Sequence, residues 1–143
     1  MNSIATDMAL KLEAEGLGSM GLGTTGPGAG TGIFVGEEPP EPSESYTLYA
    51  YGGDVDDGLP TDQVLDRFRL QVRTRARTYK AAWDMAVAAE RELNLLKNYS
   101  VADGTATVWY IVVHRLQPPT EGGRDEKRRF IFTQNYAGMR QRI

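Results

Sequence analysis

The sequence predicts an α+β fold: a mostly antiparallel β-sheet with two α-helices packed on one face. Three observations predict it. "RFRLQVRTR", residues 67–75, alternates basic and apolar side chains with the period of a strand. "TYKAAWDMAVAAERELNLLKN", residues 78–98, repeats its apolar positions at helical spacing. Two apolar, β-branched stretches, "TATVWYIVVHRLQ" and "RRFIFTQNY", then flank one charged turn near the end of the chain.

Taken in order, Ser3 or Asn2 caps a first helix in which Ile4, Met8 and Leu12 recur four apart, and Gly16 ends it. Nine glycines fall among the 21 residues from Gly16 to Gly36. The segment of about 16–32 therefore reads as a flexible glycine-rich loop, with no stable element before "IFV" at Ile33–Val35. "EEPPEPSES" is an acidic, proline-rich loop, "YTLYAY" a strand, and "GGDVDDGLPTDQVLD" again a loop. In the next strand Phe68, Leu70 and Val72 face one way, and Arg67, Arg69, Gln71, Arg73 and Arg75 the other. Behind a Thr78 cap, the second helix places Tyr79, Ala82, Trp83, Ala86, Ala89, Leu93 and Leu96 on its packed face. The two final strands pair antiparallel across "GRDEKRR".

A chain of 143 residues is expected to form a single domain, 1–143, able to bury roughly 70% of its unfolded surface. It has no cysteine, which removes disulfides, thiolate metal sites and cysteine nucleophiles. No apolar run approaches the roughly 20 residues that span a bilayer. "MNSIATDMALKLEAEG" is acidic where a signal peptide is basic and apolar, so a soluble, unexported chain is expected. The net charge of −3 conceals a split. Residues 1–66 hold 12 acidic side chains against one lysine, and residues 67–143 hold 15 basic against 7 acidic. Either the halves neutralise each other within one fold, or opposite surfaces meet between copies.

The motifs that suggest chemistry lack their context. "GLGTTG", Gly21–Gly26, matches a dinucleotide fingerprint in letters, but a helix precedes it where a strand is required. "DVDDG", Asp54–Gly58, carries glycine at the fifth position of a would-be calcium loop and reads as a solvated acidic turn. His114 is the only histidine, so no histidine pair holds a metal, and its strand position suits a hydrogen-bonded structural role. The arginine stripe suits phosphates, yet no exposed aromatics are expected to interleave with it as base-stacking platforms. No catalytic residue, cofactor or metal site is expected.

From Tyr51 onward an ordered set of features resembles a known family. "YGG" precedes a loop into "FRLQVRTRA"; "TYKAAWDMAVAAERELNLL" follows; then come a strand ending "LQPP", the turn "GRDE" and "RRFIFTQNY". Over about residues 46–136 this set resembles the tail terminator proteins of long-tailed bacteriophages, also called phage minor capsid proteins. The resemblance implies a structural virion protein with no enzymatic activity. Such subunits close into a ring, a hexamer in most cases, on the completed tail tube, stop its growth and present the surface that joins the head connector. It implies a tail tube protein and a head–tail connector protein as partners, and a place in the virion neck after assembly in the host cytoplasm. It also implies DNA that passes through the ring unread, and no membrane. The chain departs from the family pattern in its longer Gly16–Gly32 segment. A neighbouring head–tail joining protein, a nucleic-acid-binding module using the arginine strand and a small enzyme using His114 are the alternatives. The charge split places the expected contacts between copies at Glu37, Glu38 and Asp56 on one side and Arg67, Arg69, Arg73, Arg75, Arg124, Arg128 and Arg129 on the other.

Overall fold

Ser3 begins the fold as expected: its side chain accepts the Thr6 backbone N–H at 3.1 Å and caps α1, Ile4–Ala14. The computed structural model describes residues 2–20, 30–52, 55–56, 64–103 and 106–142. Met8 and Leu12 are fully buried, and Gly16 closes the helix at φ +80°, a conformation that costs glycine little. The chain continues through β1 (Ser19–Met20), β2 (Gly32–Val35), β3 (Ser45–Tyr51), β4 (Val55–Asp56) and β5 (Val64–Ala76). Helix α2 (Tyr79–Leu93) leads into β6 (Leu96–Asp103), β7 (Ala106–Arg115), β8 (Thr120–Arg124) and β9 (Phe130–Arg142).

Among the described residues, nine strands form one sheet in the order β1-β2-β3-β5-β9-β7-β6, with β4 on β5 and β8 on β9. Pairing is parallel at β1–β2 and β2–β3 and antiparallel elsewhere. The α+β class, mostly antiparallel, is thus observed. Both helices lie on one face, where Met8, Leu12, Leu93, Leu48, Leu70, Val72 and Tyr136 share a core. Fully burying such side chains contributes about 1.5–3 kcal/mol each. Two hooks tie α2 down: the Tyr46 hydroxyl donates to the Met85 carbonyl at 2.7 Å, and Gln134 Nε2 donates to the Ala86 carbonyl at 3.0 Å.

Several local expectations are corrected. The second helix stops at Leu93, because Asn94 turns extended and Leu95 takes φ +61°; Leu96 begins β6, a strand the spacing concealed. Trp83 and Tyr79 sit at the rim of α2, 39% and 46% exposed, against Phe132. The glycine-rich segment holds β1, paired with Gly32–Ile33, and its fingerprint at 21–26 lies outside the described residues. Of the acidic turn at 54–58, only the backbone of Val55–Asp56 is described, paired with Leu65–Asp66. The last strand runs on to Arg142, and β8 occupies the same edge of β9 as β7, beyond a bend at Leu116–Pro119.

Two devices keep the core face continuous. A bulge between Tyr110 and Val112 lets both Tyr110 and Val113 point inward. Gly138 lies under Phe68, where an added Cβ would fall 2.4 Å from the Val112 carbonyl oxygen and 2.6 Å from the Phe68 ring.

Candidate interaction surfaces

Arg75 is the first surprise among the expected interface residues: it is buried, only 2% exposed. Alternation places it on the outer face of β5, but the proline-rich loop folds back over it. Its Nη1 donates to Glu38 at 3.1 Å, and its Nη2 to the carbonyls of Pro39 at 2.8 Å and Pro42 at 2.7 Å. Arg73 Nε lies 2.9 Å from Glu38 Oε2, close enough to pair but not aligned to donate. From the far side, Arg129 Nη1 donates to the Pro40 carbonyl at 2.6 Å and Lys127 Nζ to Glu41 at 2.7 Å. Prolines have no N–H but keep their carbonyls, so a proline-rich loop offers acceptors that only donors from elsewhere can satisfy. Arg75 and Arg129 supply them, while Arg73 and Lys127 pair with the loop's Glu38 and Glu41.

Electrostatics follow this clamp. Burial draws the Arg75 pKa down from its ordinary value, and Glu38 opposes that. The hydrogen bond from Lys127 holds the Glu41 carboxyl below its usual range. Partial burial works to raise the Asp125 pKa. The backbone N–H, guanidinium and charge of Arg129, with the Lys127 N–H, outweigh it and hold the group low. Asp125 organises the hairpin turn between β8 and β9, accepting from the backbone N–H groups of Lys127 at 3.0 Å and Arg129 at 2.9 Å. "GRDEKRR" is therefore a charged hairpin turn.

The ten expected interface residues thus separate. Glu38, Arg73, Arg75 and Arg129 find partners within their own chain, so the charge split is partly neutralised inside one fold. Arg124 stacks over Phe130, 4.3 Å from its ring centre. Glu37, Arg67, Arg69 and Arg128 are exposed. The Asp56 side chain lies outside the described residues. A second buried set, missed in the sequence, joins α1 to the sheet: the Tyr110 hydroxyl donates to Asp7 at 2.5 Å, and Arg140 reaches Asp66 at 3.1 Å and the Asn2 carbonyl. Burial pushes the Tyr110 pKa up, and Asp7 adds to that. Its signal was a lone aspartate at a position of α1 that faces the core.

Two surfaces remain open. One is a groove of about 430 Å3 between α2 and the bend after β7, lined by Trp83, Val87, Glu90, Arg115, Pro118 and Pro119, with Arg115 paired to Glu90. Tyr79, Leu95 and Leu116 are exposed as well, and β8 is exposed throughout. The other is the helix-free face of the sheet. There Tyr51 and Trp109 are 40% and 39% exposed, which corrects the expectation that no aromatics accompany the arginines. His114 is exposed on this face, at the rim of a recess of about 310 Å3 beside Arg67, Arg69, Val112 and Met139. Among the described residues, no side-chain hydrogen bond holds it in the role expected of it. Among the described residues no group of three acidic or histidine side chains gathers as a metal site, and no helix is long and apolar enough to cross a membrane.

What this molecule offers is contact area: a single broad sheet, a clamped proline-rich loop and open flanks, the properties of a small α+β building block. Residues 12–138 match the family of bacteriophage tail terminator proteins, and the chain belongs to that family, a structural component of the phage tail. Its fold is similar to that of a chain in the virion of a native gene transfer agent particle. The two superpose with a TM-score of 0.60 over 97% of this chain and 95% of that one, at 11% sequence identity, a likeness of fold. No curated protein matches the chain.

Proposed function

We propose that this protein closes into a ring, a hexamer, on the end of the completed tail tube, halts tube growth and presents the surface to which the head connector binds. The observation that carries the reading is the family match over residues 12–138. A ring needs a heterologous contact, one patch of each subunit against a different patch of the next. The α2 groove, with Trp83, Val87, Pro118 and Pro119 in its lining, supplies an apolar patch of the required kind. Glu37 and Asp56, opposite Arg124 and Arg128 of the next copy, are the charges proposed to set its register. Exposed ion pairs contribute only about 0–1 kcal/mol each, so the groove carries most of the affinity.

The test is the particle mass in solution together with negative-stain images, taken with and without assembled tail tubes. Rings, free or templated on one tube end, support the reading. Leu116→Asp, a change at a 47% exposed side chain, should prevent rings while leaving the monomer folded. A protein that stays monomeric and leaves tube ends bare contradicts it.

A further inference from the structure

The helix-free face of the sheet has an unusual charge pattern. Strand registers place Tyr49 and Tyr51 of β3, Arg67, Arg69, Gln71 and Arg73 of β5, and Thr133, Asn135, Ala137 and Met139 of β9 side by side. Val112 and His114 of β7 continue the surface, with Lys97 of β6 beside Val112. Among the described residues, no outward position on these five strands is acidic. Asp66, next to Arg67 in sequence, points to the opposite face and pairs with Arg140. Glu38 reaches the face only at its far end, where Arg73 and Arg75 hold it. Within a chain of net charge −3, the described outward side chains of these five strands therefore form a basic surface without a carboxylate.

We propose that this face binds the phosphates of duplex DNA without reading its bases. Phosphate recognition uses arginine and lysine together with neutral donors such as Asn, Gln, Thr and Tyr, the composition found here. Tyr51 donates its hydroxyl to Asn135 at 2.9 Å, and Gln71 Nε2 lies 3.4 Å from the same oxygen. These bonds hold the ring of Tyr51 to the sheet, so it does not serve as a stacking platform for an unpaired base. A second copy of the chain fits the face less well. Protein interfaces have an apolar centre, whereas the apolar residues between the charges here are Val112, Ala137 and Met139, with Trp109 set apart between Ser100 and Gln141. Among the described side chains, the carboxylates closest to the face in sequence, Glu38 and Asp66, are already engaged. The binding requires neither ring nor cap, and it would coat whichever side of an assembly meets DNA.

The test measures duplex binding by fluorescence anisotropy from 50 to 200 mM salt, with a single strand of the same length and poly-glutamate as competitors. Wild type should bind the duplex at low salt and lose affinity steeply as salt rises. Each phosphate contact adds about 0.9 to the slope of log K against log salt, so Arg67→Gln with Arg69→Gln should make it shallower by about 1.8. Arg67→Lys with Arg69→Lys should keep the wild-type slope, because phosphate contact needs the charge more than the fork. Lys11→Gln with Lys80→Gln, an equal change in net charge on the two helices, should leave the slope unchanged. The proposal is overturned if wild type shows no duplex binding at 50 mM salt, or if both glutamine pairs lower the slope equally. It is also overturned if poly-glutamate displaces duplex at equal charge concentration, or if Arg67→Gln with Arg69→Gln abolishes self-association instead, since either assigns the face to a protein. Thermal melts confirm that each variant is folded; if the glutamine pair is not, Arg67→Gln alone should show a drop of about 0.9. Failure to cap tubes with normal DNA slopes would count against the ring and leave this inference standing.

Discussion

Replacing Arg75 with alanine should destabilise the fold far more than replacing its exposed neighbour Arg69, although the two occupy equivalent positions in one alternating strand. Removing one partner of a buried ion pair costs about 3–5 kcal/mol, because the other charge remains without compensation. The Glu38 side chain keeps 14% exposure, so water reaches it and the lower end applies, about 3 kcal/mol. The same substitution strips the Pro39 and Pro42 carbonyls of their donor. Urea unfolding followed by far-UV circular dichroism measures the loss, which should lower Tm by roughly 6–12 °C for a chain of this length. Arg69→Ala should stay within about 0.5 kcal/mol of wild type. Arg75→Lys keeps the charge but cannot fork to three acceptors, so it should recover less than half of the loss. Combining Arg75→Met with Glu38→Gln should cost less than the sum of the single changes, since the orphaned carboxylate is then gone. An Arg75→Ala loss under about 0.5 kcal/mol, equal to that of Arg69→Ala, would refute the clamp.

Leu93→Ala, at a fully buried side chain where α2 meets the sheet, should cost about 2–5 kcal/mol in the same unfolding assay. Gly138→Ala should cost at least about 1–3 kcal/mol, because the new methyl group meets a backbone carbonyl as well as Phe68; a neutral result would mean that β7 and β9 lie further apart than described. Asp125 has a depressed folded pKa, so its contribution is complete above the unfolded value of about 3.9 and is lost as pH falls through the folded one. Asp125→Asn should therefore lower stability at pH 7 and by progressively less as pH falls through the acid range, and parallel stability–pH curves for variant and wild type would contradict this.

Local pattern disclosed most of the architecture. Period-two alternation marked β5, β-branched composition marked β7 and β9, and Ser3 and Thr78 marked both helix starts, because each signal arises within a few residues. Strand β6 was hidden because Leu93 and Leu96 keep helical spacing across the break; what ends the helix is a positive φ at Leu95. The Asn94 side chain, accepting from the Arg115 backbone at 2.9 Å, then fixes the turn from another element. Strand β8, "TEGGR", has no strand propensity and exists because β9 templates it. The interface residues were harder still. Arg75 follows the same alternation as Arg69, and only the return of residues 37–42 over its end of the strand buries it, an event that no local period records. The proline-rich run with its unsatisfied carbonyls was the available signal.

The most direct test of the proposed role is the length of tail tubes grown from purified tube protein with this chain added midway. The proposed role predicts that elongation stops at addition, with a ring at one end of every tube and lengths frozen at those of the moment of mixing. Tubes that continue to lengthen at the rate of the untreated control, with the protein free in solution or scattered along their sides, would contradict it.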